Sequence, residues 1–224
     1  MIKKLDWDSN FFGINVGRID LLKGDVINIE NLLAKYQKEN YKLLYVFSEE
    51  PLNIDIQPID IKVVYSISVV ENMKSLEVLS EVKKATPQIY SLAYRSGNHS
   101  RFKLDKNIPI EKFEEFYTLW VDNSLSGEFA DKVFKYEIDS KEAGFVTVTI
   151  SDSVATIGLI AVDENFGRMG IGSKLINSTK RFAAYNACDE IRVATQLNNK
   201  EACAFYEKNG FSIYSKTYIY HLWQ

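Results

Sequence analysis

The chain has 224 residues, of which 46% are hydrophobic and 25% are charged, and it contains only four prolines. This composition is typical of a folded globular protein and excludes an intrinsically disordered chain, while the length allows one large domain or two packed lobes. With 27 Lys and Arg against 30 Asp and Glu, the formal charge is −3, which argues against nucleic acid as a partner.

The first half of the chain carries strand patterns and one helical pattern. Strands are predicted over residues 14–20, 42–47 and 61–70, and a helix over residues 25–39. A polar stretch over residues 71–107 follows, in which Thr86-Pro87 marks a break. We place the domain boundary there, which predicts a smaller N-terminal α/β lobe of residues 1–107 and a second domain of residues 108–224.

The second half predicts hairpins followed by strand-helix alternation. The predicted helices cover residues 110–123, 170–186 and 199–209, and the predicted strands cover residues 133–138, 144–151, 155–162, 191–196 and 211–222. Asp139-Ser140 and Asp152-Ser153 supply turns between the first three of these strands. Hairpins need antiparallel pairing and helical crossovers need parallel pairing, so we predict an α/β fold with a mixed sheet flanked by helices.

The sequence shows no targeting segment and no cysteine pattern typical of disulfides. The first ten residues carry charges without an apolar segment, and no stretch approaches the roughly 20 apolar residues of a membrane span. Cys188 and Cys203 fall in helical patterns, where reduced core thiols are commoner than disulfides. We therefore expect a cytoplasmic protein with no membrane anchor.

A glycine-rich loop between a predicted strand and a predicted helix is the sharpest local feature. Gly167, Gly170 and Gly172 allow a tight turn whose amides converge with the helix N-terminus on one point, which suits a diphosphate. A dinucleotide fold would require an acidic residue at the end of the next strand, whereas Asp189 and Glu190 precede it. A Walker loop would require Gly-Lys-Ser/Thr, and here the order is Gly-Ser-Lys.

The loop resembles the pyrophosphate loop of the GNAT superfamily of N-acetyltransferases, Q/R-x-x-G-x-G/A. A second block of that family follows at the expected distance, as Asn199-x-x-Ala202-x-x-x-Tyr206-Glu207-Lys208-x-Gly210-Phe211. One position departs from the pattern, because Gly167 stands where the family has Gln or Arg and the arginine comes one residue later, as Arg168. Whether Arg168 replaces the displaced side chain or points to solvent is left open by the sequence.

The resemblance implies direct acetyl transfer from acetyl-CoA to an amine, with no metal. It implies that a backbone N–H on the preceding strand stabilises the oxyanion of a tetrahedral intermediate, with Ile160 and Ala161 as the best candidates, and that Tyr206 protonates the departing thiolate sulfur of CoA. Asn199 would contact the CoA arm or cap its helix. The implied acetyl-CoA contacts are Leu159, Ile160, Ala161, Val162, Gly167, Arg168, Met169, Gly170, Ile171, Gly172, Ser173, Asn199 and Tyr206.

Further motifs narrow the resemblance to the bacterial TDP-fucosamine acetyltransferases. They are the opening Trp7-Asp8-x-x-Phe11-Phe12-Gly13, Ser100-Arg101-Phe102, the segment from Phe116 to Gly127, and Arg192-Val193-Ala194-Thr195-Gln196. That group acetylates the 4-amino group of dTDP-4-amino-4,6-dideoxygalactose. The resemblance implies a dTDP-amino sugar as the acceptor, with the N-terminal lobe contributing to its site and Arg101, Trp7, Phe12 and Trp120 as its contacts.

Several questions stay open at this level. Arg95 and Lys103 are further candidates to bind the acceptor's diphosphate, and solvated surface residues are an equal alternative. The acceptor could instead be a peptide N-terminus, a polyamine or a drug amine, and a non-catalytic CoA-binding domain is a third hypothesis. A homodimer is compatible with the sequence, which does not identify the general base.

Overall fold

The computed structural model of the protein describes residues 2–25, 36, 38, 40–76 and 79–224. The chain divides into two compact units, the first made of Met1–Val63, Gln196–Asn198 and Ser215–Gln224 and the second of Val64–Thr195 and Asn199–Tyr214. The predicted helix over residues 25–39 lies almost entirely outside the described residues. The other predicted strands and helices are present, with ends that shift by at most three residues.

The first unit contains both parallel and antiparallel strand pairs. They are β1 (Lys3–Lys4), β2 (Val16–Leu21), β3 (Leu43–Ser48) and the C-terminal part of β10 (Ser212–Trp223). β1 and β2 are antiparallel, β2 and β3 are parallel, and β3 and β10 are antiparallel. The helix α1 (Asp6–Phe12) ends at Gly13, whose φ of 68° is a left-handed conformation that glycine adopts at little cost.

A mixed sheet forms the centre of the second unit. Its strands lie in the order β4-β9-β8-β7-β6-β5, with the bounds β4 (Asp60–Ser68), β5 (Ser80–Glu81), β6 (Lys132–Ile138), β7 (Lys141–Ser151), β8 (Val154–Val162) and β9 (Glu190–Gln196). The start of β4, up to Val63, and the last residue of β9 belong to the first unit. Neighbours from β5 to β8 are antiparallel, whereas β8 and β9 are parallel. Asp139-Ser140 and Asp152-Ser153 form the two hairpin turns with φ between 47° and 62°, as predicted.

Helices cover this sheet and complete its core. They are α2 (Pro87–Ser96), α3 (Arg101–Leu104), α4 (Ile110–Leu125), α5 (Ile171–Tyr185) and α6 (Lys200–Lys208). The apolar faces of α2 and α4 share one buried cluster with Phe145 of β7 and Leu159 of β8. The burial of these faces removes apolar surface from water, which is the main force that holds the helices on the sheet. The predicted α/β fold with a mixed sheet is confirmed.

Residues 71–107 differ most from the prediction. The dipeptide Thr86-Pro87 does not interrupt structure but begins α2, because the Thr86 side chain accepts the N–H of Ile89 and proline at the first helical position has no N–H to leave unpaired. The buried face of α2 belongs to the core of the second unit, so residue 107 lies within a compact unit rather than between two. The division of roles between residues 1–107 and 108–224 stays a prediction.

Other global features concern the thiols and the helices. Cys188 and Cys203 are both buried and neither forms a disulfide. Across the described ranges, no helix is long and apolar enough to cross a membrane. The same ranges contain no cluster of His, Cys, Asp and Glu that could hold a metal ion.

Candidate active site

The strands β8 and β9 pair over only part of their length. Their parallel register runs from Val154 opposite Glu190 to Ile157 opposite Val193, and within the described residues it stops there. Gly158 and Ala194, the next residue on each strand, are exposed. In the C-terminal half of β8, the backbone edge that the N-terminal half uses for β9 is therefore outside this register.

A β-bulge lies where this pairing stops. On the other edge of β8, Ile157 is opposite Val148 and Ile160 is opposite Val146, so Thr147 of β7 faces both Gly158 and Leu159. The Leu159 N–H donates to the buried Thr147 Oγ1 at 2.9 Å. The extra residue changes which amides of β8 point toward β7.

The directions of the β8 amides follow from the alternation of an antiparallel ladder. The Asp163 N–H donates to the Ala143 carbonyl at 2.9 Å, so the pair two residues back, Ala161 and Phe145, is also hydrogen-bonded. The amides of Ile160 and Val162 must then point away from β7, toward the edge left by β9. Of the two predicted oxyanion donors, Ile160 faces this edge, whereas the amide of Ala161 is directed at β7.

The loop after β8 leads into a helix N-terminus that no side chain caps. Asp163 accepts the Asn165 N–H and starts the turn at Glu164–Phe166, and Gly170, with a φ of 76°, immediately precedes α5. Gly170 and the predicted contacts Arg168 and Met169 are exposed. The first amides of α5, at Ile171, Gly172 and Ser173, have no partner within the helix, which makes this turn suitable for an anion.

In the loop, the left-handed backbone conformation falls on Arg168 and not on the neighbouring glycine, Gly167. Gly167 has φ −58° and ψ 149°, which any residue adopts, whereas Arg168 has a φ of 63°. A left-handed arginine is strained, and strained residues concentrate at functional sites.

Close packing brings the loop, β8 and α6 together. A Cβ on Gly172 would lie 3.0 Å from the Phe205 ring and 3.8 Å from Val162 Cγ2, so the absence of a side chain lets α5 approach both. Phe205 in turn contacts the neighbouring Tyr206, with ring centroids 5.4 Å apart. The predicted pyrophosphate loop and the predicted acid therefore lie on elements in direct contact.

Tyr206 is 4% exposed and sits among aromatic rings of Tyr65, Phe205 and Phe211. Burial raises the pKa of Tyr206 well above the ordinary tyrosine value, and the nearby Cys203 adds to the increase. The phenol thus keeps its proton at physiological pH, as a proton donor must.

Asn199 caps α6, with its Oδ1 accepting the Ala202 N–H at 3.1 Å. This satisfies the capping role that the sequence left open. Its role toward CoA stays a prediction.

The predicted acceptor contacts are distributed over both units. In the first unit, Trp7 stacks on Phe11 and is 48% exposed, and Phe12 packs on a buried cluster with Tyr45. In the second unit, the Arg101 guanidinium lies 4.4 Å from the centroid of the Phe102 ring. The Trp120 Nε1 would be 3.4 Å from a Cβ on Gly158, which places this indole beside the bulge.

A cavity of about 380 Å³ adjoins the start of the loop. Its lining includes two cations, three carboxylates and several uncharged residues, among them Arg95, Asn98, Lys103, Glu114, Asp163 and Glu164. Arg95 Nη1 pairs with Glu164 Oε2 at 2.7 Å, and Gln88 Nε2 donates to Asp163 Oδ2 at 2.6 Å. The structure thus brings together Arg95 and Lys103, the two further candidates for the acceptor's diphosphate.

Sequence reasoning missed Thr147 and the bulge. The available signal was Gly158, because an isolated glycine inside a strand pattern often marks a bulge. No local pattern distinguishes Thr147 from any other strand threonine.

The described residues thus combine a mixed sheet, a parallel strand pair that is registered over only part of its length, and a glycine turn before a helix start without a side-chain cap. The model of the acetyltransferase (GNAT) family matches residues 91–211, slightly more than half of the chain. These residues include the bulge, the loop and Tyr206.

Similar proteins agree with this match. The chain is 23% identical to the dTDP-fucosamine acetyltransferase of Escherichia coli O6:H1 over 97% of this chain and 96% of that protein. It is 25% identical to the spore coat polysaccharide biosynthesis protein SpsD of Bacillus subtilis, over 62% of this chain and 47% of that protein. Human N-alpha-acetyltransferase 30 is 33% identical over 30% of this chain and 18% of its own length.

Solved structures share the fold. A GCN5-related N-acetyltransferase from Sphaerobacter thermophilus superimposes with a TM-score of 0.57 at 10% identity, covering 87% of this chain and 68% of that one. A GNAT acetyltransferase from Colwellia psychrerythraea gives 0.53 at 16% identity, covering 86% and 71%. The chain therefore belongs to the GNAT family and is an acetyl-CoA-dependent N-acetyltransferase.

Proposed function

We propose that this enzyme transfers the acetyl group of acetyl-CoA directly to the amine of a nucleotide-linked amino sugar of the dTDP-4-amino-4,6-dideoxyhexose type. The observation that carries the acceptor assignment is the similarity to dTDP-fucosamine acetyltransferase, which extends over 97% of this chain rather than over the acetyl-CoA motifs alone. The second relative, SpsD, is by its name also a polysaccharide biosynthesis protein.

The described residues fit acetyl-CoA at three points. The uncapped start of α5, with the left-handed Gly170, suits the diphosphate, and the Arg168 side chain could add a positive charge there. The unpaired edge of β8 from Gly158 to Val162 suits an extended chain that pairs with backbone groups. Tyr206 lies on α6, whose Phe205 packs against Gly172 at the start of α5.

Acetyl-CoA supplies an activated acyl group with a thiol as the leaving group. The Ile160 amide, directed at the open edge of β8, would donate to the oxygen on which negative charge develops. Tyr206, kept protonated by burial, would donate its proton to the departing sulfur. The amine must lose a proton before it attacks, and the residue that accepts this proton is left unassigned.

The acceptor would occupy the cavity beside the loop. Arg95 and Lys103 could bind phosphate oxygens, and the Arg95–Glu164 pair, with both side chains exposed, is weak enough for a dianionic ligand to displace. Asn98 and the carboxylates suit sugar hydroxyls. The roles of Arg101, Trp120, Trp7 and Phe12 in acceptor binding, the cytoplasmic location and the homodimer stay predictions.

Acetylation of a peptide N-terminus is the competing function. It is favoured by the N-alpha-acetyltransferase 30 match, but that match covers only 30% of this chain. A thiol-release assay with acetyl-CoA against dTDP-amino sugars, peptides and polyamines separates the candidates. We expect turnover with a dTDP-4-amino-4,6-dideoxyhexose that exceeds turnover with the other amines, and equal rates on all of them would remove the sugar assignment.

The same assay tests whether Tyr206 is the acid that protonates the departing sulfur. Tyr206→Phe keeps the buried ring and removes the proton donor, so kcat should fall by about 10² to 10⁴ while the protein stays folded. Tyr185→Phe is the matched control, because Tyr185 is 61% exposed and should leave kcat unchanged. A Tyr206→Phe enzyme as fast as the parent would refute the assignment.

A further inference from the structure

The bulge in β8 is held by one side chain of the neighbouring strand. Thr147 is 1% exposed, and its Oγ1 accepts the Leu159 N–H at 2.9 Å. In a bulge one backbone group loses its ladder partner, and a buried N–H without a partner is costly. The threonine hydroxyl replaces the carbonyl that the ladder cannot supply at this point.

Gly158 makes room for this contact. A Cβ at residue 158 would lie 2.9 Å from Thr147 Oγ1 and 3.4 Å from Trp120 Nε1. The first distance is closer than side-chain atoms tolerate, so the hydroxyl and the glycine are complementary parts of one local structure.

The bulge decides where the Ile160 amide points. With the register continued from Ile157 opposite Val148 and no extra residue, Ile160 would be opposite Phe145, the place that Ala161 occupies in the structure. That position is hydrogen-bonded to β7, so the Ile160 N–H would then be used inside the sheet. The extra residue turns this amide toward the open edge.

We propose that Thr147 is a positioning residue for acetyl transfer: by accepting the Leu159 N–H it holds the β8 bulge in the register that directs the Ile160 amide at the thioester oxygen. The inference rests on the proposed function, because the amide needs a reacting carbonyl at the open edge. Thr147 itself contacts no substrate and acts through the backbone of Gly158 to Ile160.

Three variants of β7 test this role. Thr147→Val keeps the shape and removes the acceptor, Thr147→Ser keeps the acceptor and removes a methyl group, and Thr149→Val is the control. Thr149 lies on the same strand, but its hydroxyl donates to the Phe129 carbonyl rather than holding β8. Steady-state assays of acetyl transfer would be combined with thermal unfolding and amide hydrogen exchange of the full-length protein.

We expect Thr147→Val to lower kcat by about tenfold or more, a partial loss of an oxyanion donor, with the KM for acetyl-CoA changed by less than about twofold. Thr147→Ser should restore most of kcat, and Thr149→Val should match the parent. If Thr147→Val leaves kcat unchanged, or lowers it only in proportion to a loss of folded protein, the positioning role is wrong.

Hydrogen exchange separates this inference from the proposed function. In the parent, the Ile160 amide should exchange faster than the Ala161 amide, because only the latter is directed at β7, and Thr147→Val should reduce or reverse this order. If the difference between the exchange rates of the Ile160 and Ala161 amides is as large in Thr147→Val as in the parent, the positioning role is wrong even if no amine is a substrate. Absence of turnover in the parent, with the expected exchange change in the variant, would instead refute the proposed function alone.

Discussion

Arg168 combines a strained backbone with a charged side chain, and two substitutions separate these contributions. Its φ of 63° costs a non-glycine residue about 1–2 kcal/mol. Arg168→Gly removes this strain but adds about 0.5–1 kcal/mol of backbone entropy to the unfolded chain. The difference predicts a stabilisation between about zero and about 1.5 kcal/mol, which corresponds to a rise of at most about 3–6 °C in melting temperature for a chain of this length. Arg168→Ala keeps the strain and should melt near the parent.

Both substitutions remove the same positive charge. If the guanidinium contacts the diphosphate from its exposed position, its contribution is about 1 kcal/mol, which corresponds to a rise of about fivefold in the KM for acetyl-CoA with kcat nearly unchanged. The rise should shrink at high salt because the contact is exposed. Gly167→Arg in the Arg168→Gly background should recover part of the affinity, since any residue adopts the φ and ψ of Gly167 and a Cβ there would need only a small shift of the Glu164 carbonyl oxygen, 3.2 Å away.

Thiol release at varied acetyl-CoA concentrations and thermal unfolding measure the two effects. Lys84→Ala, which removes an exposed charge between β5 and α2, controls for net charge. An unchanged KM in Arg168→Ala would show that the side chain points to solvent. Arg168→Gly melting no higher than Arg168→Ala would refute the strain argument.

Two further perturbations probe packing and ionisation. Gly144→Ala would place a Cβ 2.9 Å from the Ala161 carbonyl oxygen, and such overpacking should cost about 1–3 kcal/mol, read as a lower melting temperature; an unchanged value would contradict the close contact. Raising the pH above about 10 should destabilise the protein because two tyrosines have raised pKa values. Burial raises the pKa of Tyr36 to about 12. A hydrogen bond to Asp122, together with burial, raises the pKa of Tyr90 to about 12. The unfolded chain ionises these phenols near pH 10 while the folded chain does not, so stability is complete below that pH and is lost above it. Melting temperatures that stay constant from pH 9 to 11 would argue against this.

Local patterns predicted most of the fold correctly. The hairpin turns, the glycine turn before α5 and the Asn199 cap depend on residues within a few positions of one another, so their chemistry is visible in the sequence. The start of α2 is equally local, but Thr86-Pro87 is ambiguous in the sequence, because proline marks breaks and a threonine cap followed by proline also begins helices.

Local patterns are enough to predict the hairpins, the strand-helix alternation after them, the glycine turn before α5 and the position of Tyr206 on a helix, but not β1, β5, α1, α2 or α3. Three features become visible only in the folded chain: the β8 amide that faces the open edge, the contact of Thr147 Oγ1 with the Leu159 N–H at the bulge, and the cavity that Arg95 and Lys103 line with Glu164. These features depend on the register between segments far apart in the chain, and one residue of register reverses the direction of every backbone amide, which no local pattern records.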